Sequence, residues 1–117
     1  MRPILIIALL LSTAANATTQ ISTKNAPFHE GESVIACGPL KQVSQFKRGV
    51  YLNMDERYPQ QSITFVVWED DLAEFKQQHG PLEDLVGKNI CGKGTITLYK
   101  GRSQMSLYNS FALKIEN

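Results

Sequence analysis

The sequence predicts one mostly-β domain, a five-stranded Greek-key barrel with one helix between the third and fourth strands. Three observations carry this prediction. Short segments of alternating apolar and polar residues recur along the chain, as expected of strands with one buried face. One segment with helical punctuation follows the third of them. Glycines lie inside the first and fourth segments, where a barrel strand must bend sharply.

The first 17 residues predict a secretory signal peptide. Arg2 supplies a positive charge, residues 4–11 form an apolar run, and Ala-Asn-Ala at 15–17 is a small-x-small cleavage site. The run is too short to span a bilayer comfortably. We expect cleavage after Ala17, no membrane span afterwards, and a periplasmic or secreted protein. A retained membrane anchor is the alternative.

Residues 18–31 are polar and predict an N-terminal arm, followed by the barrel domain at 32–117. Because Arg2 leaves with the signal peptide, eleven basic side chains then face eleven acidic ones. Strong nucleic-acid binders usually carry an excess of Lys and Arg, since affinity for phosphate comes mostly from those residues. A phosphate site in this chain must therefore be local.

The first half of the domain predicts three strands. The first, 33–46, bends near Gly38-Pro39, because proline cannot donate to a central ladder. A turn at 47–49 leads to the second strand, 50–54, and a polar loop leads to the third, 63–68, which is rich in β-branched and aromatic residues. The inward residues of the first two strands are Val34, Ala36, Gly38, Leu40, Val50, Leu52 and Met54.

The second half predicts a helix and two strands. Acidic residues begin the helix, 69–80, and Gly80-Pro81 ends it. The fourth strand, 89–99, and the fifth, 104–108, flank a turn at 100–102. The inward residues of the fourth strand are Ile90, Gly92, Gly94, Ile96 and Leu98, and those of the fifth are Met105 and Leu107.

This order of elements is that of an OB-fold, a five-stranded Greek-key barrel, whereas a sandwich would need more strands. Two segments, "GVYLNMDERYPQQSITFVVW" and "FKQQHGPLEDLVGKNICGKGTITLYKGRSQMSL", resemble a bacterial family of small OB-fold domains of nucleic-acid-binding type. The resemblance covers about residues 32–115. The residues that match the family pattern are Gly49, Leu52, Asn53, Tyr58-Pro59, Phe65, Gly87-Lys88, Gly94, Tyr99, Gly101 and Met105.

Two departures from the family pattern concern the first and fourth strands. Gly92 stands where the family has an apolar residue, and Cys37 and Cys91 lie outside the pattern. Two cysteines in an exported chain predict a disulfide, and strands one and four are antiparallel neighbours in an OB-fold. The alternatives are two buried thiols or a metal pair, and two cysteines without nearby histidines make a weak metal site. We predict no metal and no cofactor.

OB-folds bind ligands on the face of strands two and three, between the 1–2 and 4–5 loops. Strand parity puts Thr64 and Val66 on this face, together with Tyr51, Asn53 and Trp68. A single strand of nucleic acid needs rings that stack bases and cations that follow phosphates. The predicted nucleic-acid-binding residues are Lys47, Arg48, Tyr51, Asn53, Trp68, Tyr99, Lys100 and Arg102. In the alternative interpretation, the aromatic residues cover the barrel wall and the cations are ordinary turn residues.

Motifs of catalysis are not recognisable in the sequence. Carboxylates at 69–74 are explained by a helix start, where they offset the macrodipole. His29 and His79 are isolated, and no nucleophile elbow, phosphate loop or paired zinc motif appears. We expect a protein that is not an enzyme.

Two functions from different classes follow. The first is an exported OB-fold module that binds single-stranded DNA or RNA weakly and without sequence preference. The alternative is a periplasmic structural, stress or interaction protein that binds a protein, a glycan or a small ligand through the same face. The neutral net charge favours the alternative, and the family resemblance favours the first. The sequence leaves the oligomeric state open.

Overall fold

A computed structural model describes Pro3 and residues 18–116. The predicted signal peptide, 1–17, lies outside the described residues except for Pro3. Within this part of the chain, no helix has both the length and the apolar character needed to cross a membrane.

The described chain forms eight strands and one α-helix. They are β1 (Thr19–Ser22), β2 (Ser33–Phe46), β3 (Gly49–Met54), β4 (Thr64–Trp68), α1 (Leu72–His79), β5 (Asn89–Thr95), β6 (Thr97–Tyr99), β7 (Arg102–Ser106) and β8 (Leu113–Ile115). All strands belong to one sheet, in the order β6-β7-β4-β3-β2-β5-β8, and β1 pairs with β2 in parallel. The prediction of a mostly-β domain is confirmed.

The long strand β2 organises the sheet. Its second half pairs antiparallel with β3, and its first half pairs antiparallel with β5. The register is irregular between Leu40 and Gln42, close to the bend predicted at Gly38-Pro39. At Gly38 a Cβ would lie 1.9 Å from Oγ1 of Thr23, so a side chain has no room there.

The predicted fourth strand divides at Ile96 into β5 and β6. Ile96 leaves the ladder because its N–H donates to the Glu32 carbonyl at 3.0 Å and its carbonyl accepts from Gly31 N–H at 2.7 Å. β5 pairs with β2, whereas β6 pairs with β7, and β7 runs parallel to β4. The segment β5–β6 therefore connects the two sides of the curved sheet. The sheet has eight strands, more than the five we predicted.

The core lies on the inner side of this curved sheet, as the period-two pattern predicts. Leu40, Leu52 and Phe65 are fully buried within it. Gly92 faces Phe65 so closely that a Cβ would lie 2.8 Å from the ring atom Cζ. The phenyl ring thus occupies the space that a side chain at position 92 would need. The prediction of an inward Leu98 is wrong: it is 50% exposed, because it follows the break at Ile96.

The helix is shorter than predicted and docks on the C-terminal segment. Residues 69–71 form a 3-10 turn, and α1 ends at His79, before Gly80, whose positive φ of 76° suits glycine. Glu74 accepts two hydrogen bonds from Ser110, from Oγ at 2.7 Å and from N–H at 3.3 Å. Nε2 of His79 lies 2.7 Å from the Ser110 carbonyl oxygen. This docking holds the chain that leads into β8.

The predicted disulfide is confirmed. Cys37 and Cys91 are direct partners across β2 and β5, and their Cα atoms lie 4.0 Å apart. Lys114 of β8 pairs with Cys91 on the other side. The predicted arm, 18–31, contains β1 and a 3-10 turn at Thr23–Phe28.

Candidate nucleic-acid interface

A cleft of about 300 Å³ opens on the outer face of β3, β4 and β7. The β3–β4 loop, residues 55–63, and the β6–β7 turn form its walls. The cleft contains three tyrosines, three carboxamides, two hydroxyls and two cations, with no carboxylate among these lining residues. They are Tyr51, Asn53, Tyr58, Gln61, Thr64, Tyr99, Lys100, Arg102, Ser103 and Gln104.

The floor of the cleft is a polar row that crosses neighbouring strands. Register places Gln104 of β7 beside Thr64 of β4, Thr64 beside Asn53 of β3, and Asn53 beside Gln42 of β2. Because side chains at paired positions share a face, these four residues lie on one side of the sheet. The row presents hydrogen-bonding groups where a barrel wall would otherwise be apolar.

A directed chain of hydrogen bonds holds most of this row. Gln61 Nε2 donates to Thr64 Oγ1 at 3.2 Å, and Thr64 Oγ1 donates to Asn53 Oδ1 at 2.8 Å. Asn53 Nδ2 then donates to Gln42 Oε1 at 3.0 Å. The Tyr58 N–H donates to the same Gln42 oxygen at 2.9 Å, which fastens the β3–β4 loop to the sheet. Asn53 is buried and both ends of its carboxamide are hydrogen-bonded, so we assign it a role in positioning the floor of the cleft.

Aromatic side chains continue from the cleft along the same face. The rings of Tyr51 and Phe46 are stacked with centroids 4.0 Å apart and planes 6° apart. Trp68 meets Phe46 edge-on at 6.0 Å and donates from Nε1 to Ser106 Oγ at 3.2 Å. Tyr51 thus contributes to the cleft, whereas Trp68 lies farther along the face and is half-buried.

The cations at the rim sit against aromatic rings. Lys100 and Gly101 form the β6–β7 turn with φ of 51° and 79°, which matches a two-residue hairpin of the primed type. Nζ of Lys100 lies 5.4 Å from the centroid of Tyr99, whose side chain is 54% exposed. Cζ of Arg102 lies 4.8 Å from the centroid of Tyr58. These contacts hold both charges beside the ring-lined cleft.

The two cations of the β2–β3 turn lie elsewhere. Lys47 lines a separate cleft of about 190 Å³, which also contains Glu69, Lys76 and Glu83. Arg48 is exposed, and its carbonyl accepts a hydrogen bond from Glu69 N–H at 2.8 Å. Five of the eight predicted residues thus share one cleft, namely Tyr51, Asn53, Tyr99, Lys100 and Arg102.

Sequence reasoning missed the residues that the β3–β4 loop brings to the site. Tyr58 and Gln61 line the cleft, although the sequence pattern predicts only a polar loop that contains the Tyr-Pro pair of the family. The Tyr-Pro pair was the available signal, because tyrosine in a polar loop offers an exposed ring. Gln104 was also missed, although its parity on β7 matches that of Thr64 on β4.

The chain was compared with known families, characterised proteins and solved structures. No family description matches it, and no characterised relative does. An OBody bound to hen egg-white lysozyme has a TM-score of 0.60 and 15% identity, covering 86% of this chain and 96% of that one. The S. pombe Stn1-Ten1 complex has a TM-score of 0.53 and 13% identity, and the match covers 72% of this chain and 57% of that one. The p204 HINb domain has a TM-score of 0.52 and 15% identity, and the match covers 99% of this chain and 56% of that one.

This chain therefore spans little more than half of the matched chains of the Stn1-Ten1 complex and the HINb domain. At these identities the likeness bears on the fold alone. It shows that the predicted OB-fold is correct.

Proposed function

We propose that this protein is an exported OB-fold module that binds single-stranded nucleic acid, weakly and without sequence preference. The observation that carries the proposal is the composition of one cleft. Three tyrosine rings and two cations line it, and none of its lining residues is acidic. Rings that stack on any base, together with cations that attract phosphate, are what a sequence-tolerant single-strand site requires.

Tyr51 is the best placed ring for stacking. One side of the ring is covered by Phe46, and the residue also lines the cleft. A base in the cleft would extend the stack of Phe46 and Tyr51 by one ring. Tyr99, which is more than half exposed, offers a second ring at the rim. Stacking of this kind contributes about 1–3 kcal/mol for each base.

Lys100 supplies the phosphate contact in this proposal, with Arg102 beside it. The zero net charge expected after signal removal leaves little long-range attraction, so local contacts must dominate. With about two phosphates neutralised, the logarithm of affinity should fall with the logarithm of salt concentration with a slope of roughly −1.4. Such a shallow slope fits a weak, short-range interaction.

Export is part of the proposal and draws support from the disulfide. Disulfides persist in oxidising compartments and are rare in the cytosol. The bridge between Cys37 and Cys91 therefore supports a periplasmic or secreted location. We further propose a binding role without catalysis, because the residues of the cleft present no nucleophile paired with a base.

The second candidate is an interaction module for a protein, glycan or small ligand. The polar row beneath the cleft favours it, since carboxamides and hydroxyls recognise peptide groups and sugar hydroxyls as readily as bases. The structurally similar OBody is bound to lysozyme, a protein partner. In this case the same face would bind without a strong dependence on salt.

Titration of a labelled oligo-dT with the oxidised protein tests the proposal by fluorescence anisotropy at low and moderate salt. We expect saturable binding that weakens at moderate salt, because phosphate contacts release counterions. Lys100→Ala should reduce the affinity, whereas the control Lys114→Ala, on β8, should leave it unchanged. No binding at low salt by protein with an intact circular dichroism spectrum would reject the proposal.

A further inference from the structure

We infer that the cleft accepts the end of a nucleic-acid strand and not an interior segment. This inference rests on the proposed single-strand function. It concerns how a strand lies in the site, which depends on whether the cleft is open at both ends.

A bridge between the two walls crosses one end of the cleft. Nη1 of Arg102 donates a hydrogen bond to the Pro59 carbonyl at 2.8 Å, and the guanidinium lies over the ring of Tyr58. Arg102 begins β7, whereas Pro59 and Tyr58 belong to the β3–β4 loop. The contact therefore joins the loop to the hairpin on the far side of the cleft.

The register locates this bridge at the end where β4 and β7 start. The two strands run parallel, and Thr64 pairs with Gln104, which is two residues after Arg102. Side chains on the same face then follow at Ser106 and, on β4, at Trp68. Along this face the order is thus the bridge, the polar floor and the aromatic cluster. A strand entering from the aromatic end meets the bridge after it crosses the floor.

The size of the cleft agrees with the binding of a terminal nucleotide. Its volume of about 300 Å³ is at the lower end of the range for small-ligand sites, about 300–1,000 Å³. Tyr51 lines the cleft on the side of the aromatic cluster, and Lys100 lies at the rim. Lys100 precedes Arg102 by two residues and lies at the bridge end, whereas Tyr51 lies at the aromatic end. In this proposal a base stacks on Tyr51, the strand runs towards the bridge, and Lys100 meets its terminal phosphate.

A comparison of linear and circular oligo-dT of equal length tests the inference. Both forms carry the same bases and phosphates, but the circle has no end. We expect the circle to bind the wild-type protein roughly tenfold more weakly than the linear form, the equivalent of about 1.4 kcal/mol. Equal affinity for the two forms would overturn the inference. If neither form binds, the proposed function itself fails.

Two variants assign the effect to the bridge. Arg102→Ala removes both contacts of the bridge and also one cation, so affinity should fall while the ratio of linear to circular affinity approaches one. Lys100→Ala removes a cation from the same rim and leaves the bridge intact, so its ratio should remain near that of the wild type. A ratio that Arg102→Ala leaves unchanged would contradict the assignment.

Discussion

The ring of Tyr51 lies flat against the ring of Phe46, with centroids 4.0 Å apart. The two residues occupy neighbouring strands, because Phe46 ends β2 and Tyr51 lies in β3. The stack fixes Tyr51 from one side, so the ring is held in place before a ligand arrives. A fixed ring loses little conformational entropy on binding, which favours affinity.

Replacement of Tyr51 by alanine should weaken binding of oligo-dT. The loss of one stacking platform is worth about 1–3 kcal/mol, or roughly 5- to 150-fold in affinity. Tyr51→Phe keeps the ring and is the matched control, which should bind like the wild type. Anisotropy titrations measure both variants. Equal affinity for Tyr51→Ala and Tyr51→Phe would remove Tyr51 from the site.

Reduction of the disulfide should destabilise the domain. The bond between Cys37 and Cys91 closes a loop with a sequence separation of 54 residues. In the chain-entropy model, a loop of this length contributes about 4 kcal/mol, and native disulfides are typically worth about 2–4 kcal/mol. Urea unfolding with and without a reductant measures the change in free energy. The control variant Cys37→Ser/Cys91→Ser should unfold at the urea midpoint of the reduced wild type, with or without reductant. Equal free energies of unfolding for the oxidised and the reduced wild type would contradict the prediction.

Acid should weaken the docking of α1. The side-chain hydrogen bond from Ser110 and then its backbone hydrogen bond lower the pKa of Glu74 below its ordinary value of 4.5. A lowered pKa in the folded state adds stability above pH 4.5 that is lost as the pH falls through the folded-state pKa. Glu74→Gln should therefore melt below the wild type at pH 7, and the gap should narrow at pH 3.

Thermal unfolding followed by circular dichroism at both pH values checks this dependence. Glu83→Gln, a neutralised carboxylate in the turn after α1, is the control and should show no such narrowing. A gap between Glu74→Gln and the wild type that is equal at both pH values would show that Ser110 does not favour the charged form.

Gly92→Ala should destabilise the core through overpacking. The added Cβ would lie 2.8 Å from Phe65 Cζ, closer than real contacts allow. Overpacked cores lose about 1–3 kcal/mol. The double variant Gly92→Ala/Phe65→Leu should cost less than the sum of the two single variants, because leucine removes the ring atoms that the methyl group strikes. Additive losses in urea unfolding would argue against this contact.

Much of the fold was predictable because period-two patterns identify strands and their buried faces. Leu40 and Leu52 are buried as predicted, and the two cysteines meet across the strands that the OB-fold pairs. The prediction for Leu98 is wrong because it assumes that the alternation continues unbroken beyond Ile96. The break there depends on hydrogen bonds to residues 31 and 32, which are distant in the sequence.

The site was predictable only where strands or tight turns fix the side chains. Tyr51 and Lys100 follow from strand parity and from a two-residue turn. Tyr58 reaches the cleft through a loop whose path is fixed by contacts with Gln42 and Arg102. Lys47 and Arg48, in the β2–β3 turn, do not line the tyrosine cleft, because side chains within a turn do not follow strand parity. Such tertiary contacts leave no local pattern in the sequence.

Chemical-shift mapping by NMR during titration with a short oligo-dT tests the central claim most directly. The account predicts that the perturbed amides cluster at the cleft, in β3, β4 and the β6–β7 hairpin, with Tyr51, Thr64 and Lys100 among them. Amides of β8 and of Lys93 on β5 should not move. Perturbations centred on β5 and β8 would contradict a single-strand site in this cleft. The absence of any perturbation in a large excess of oligonucleotide would contradict it as well.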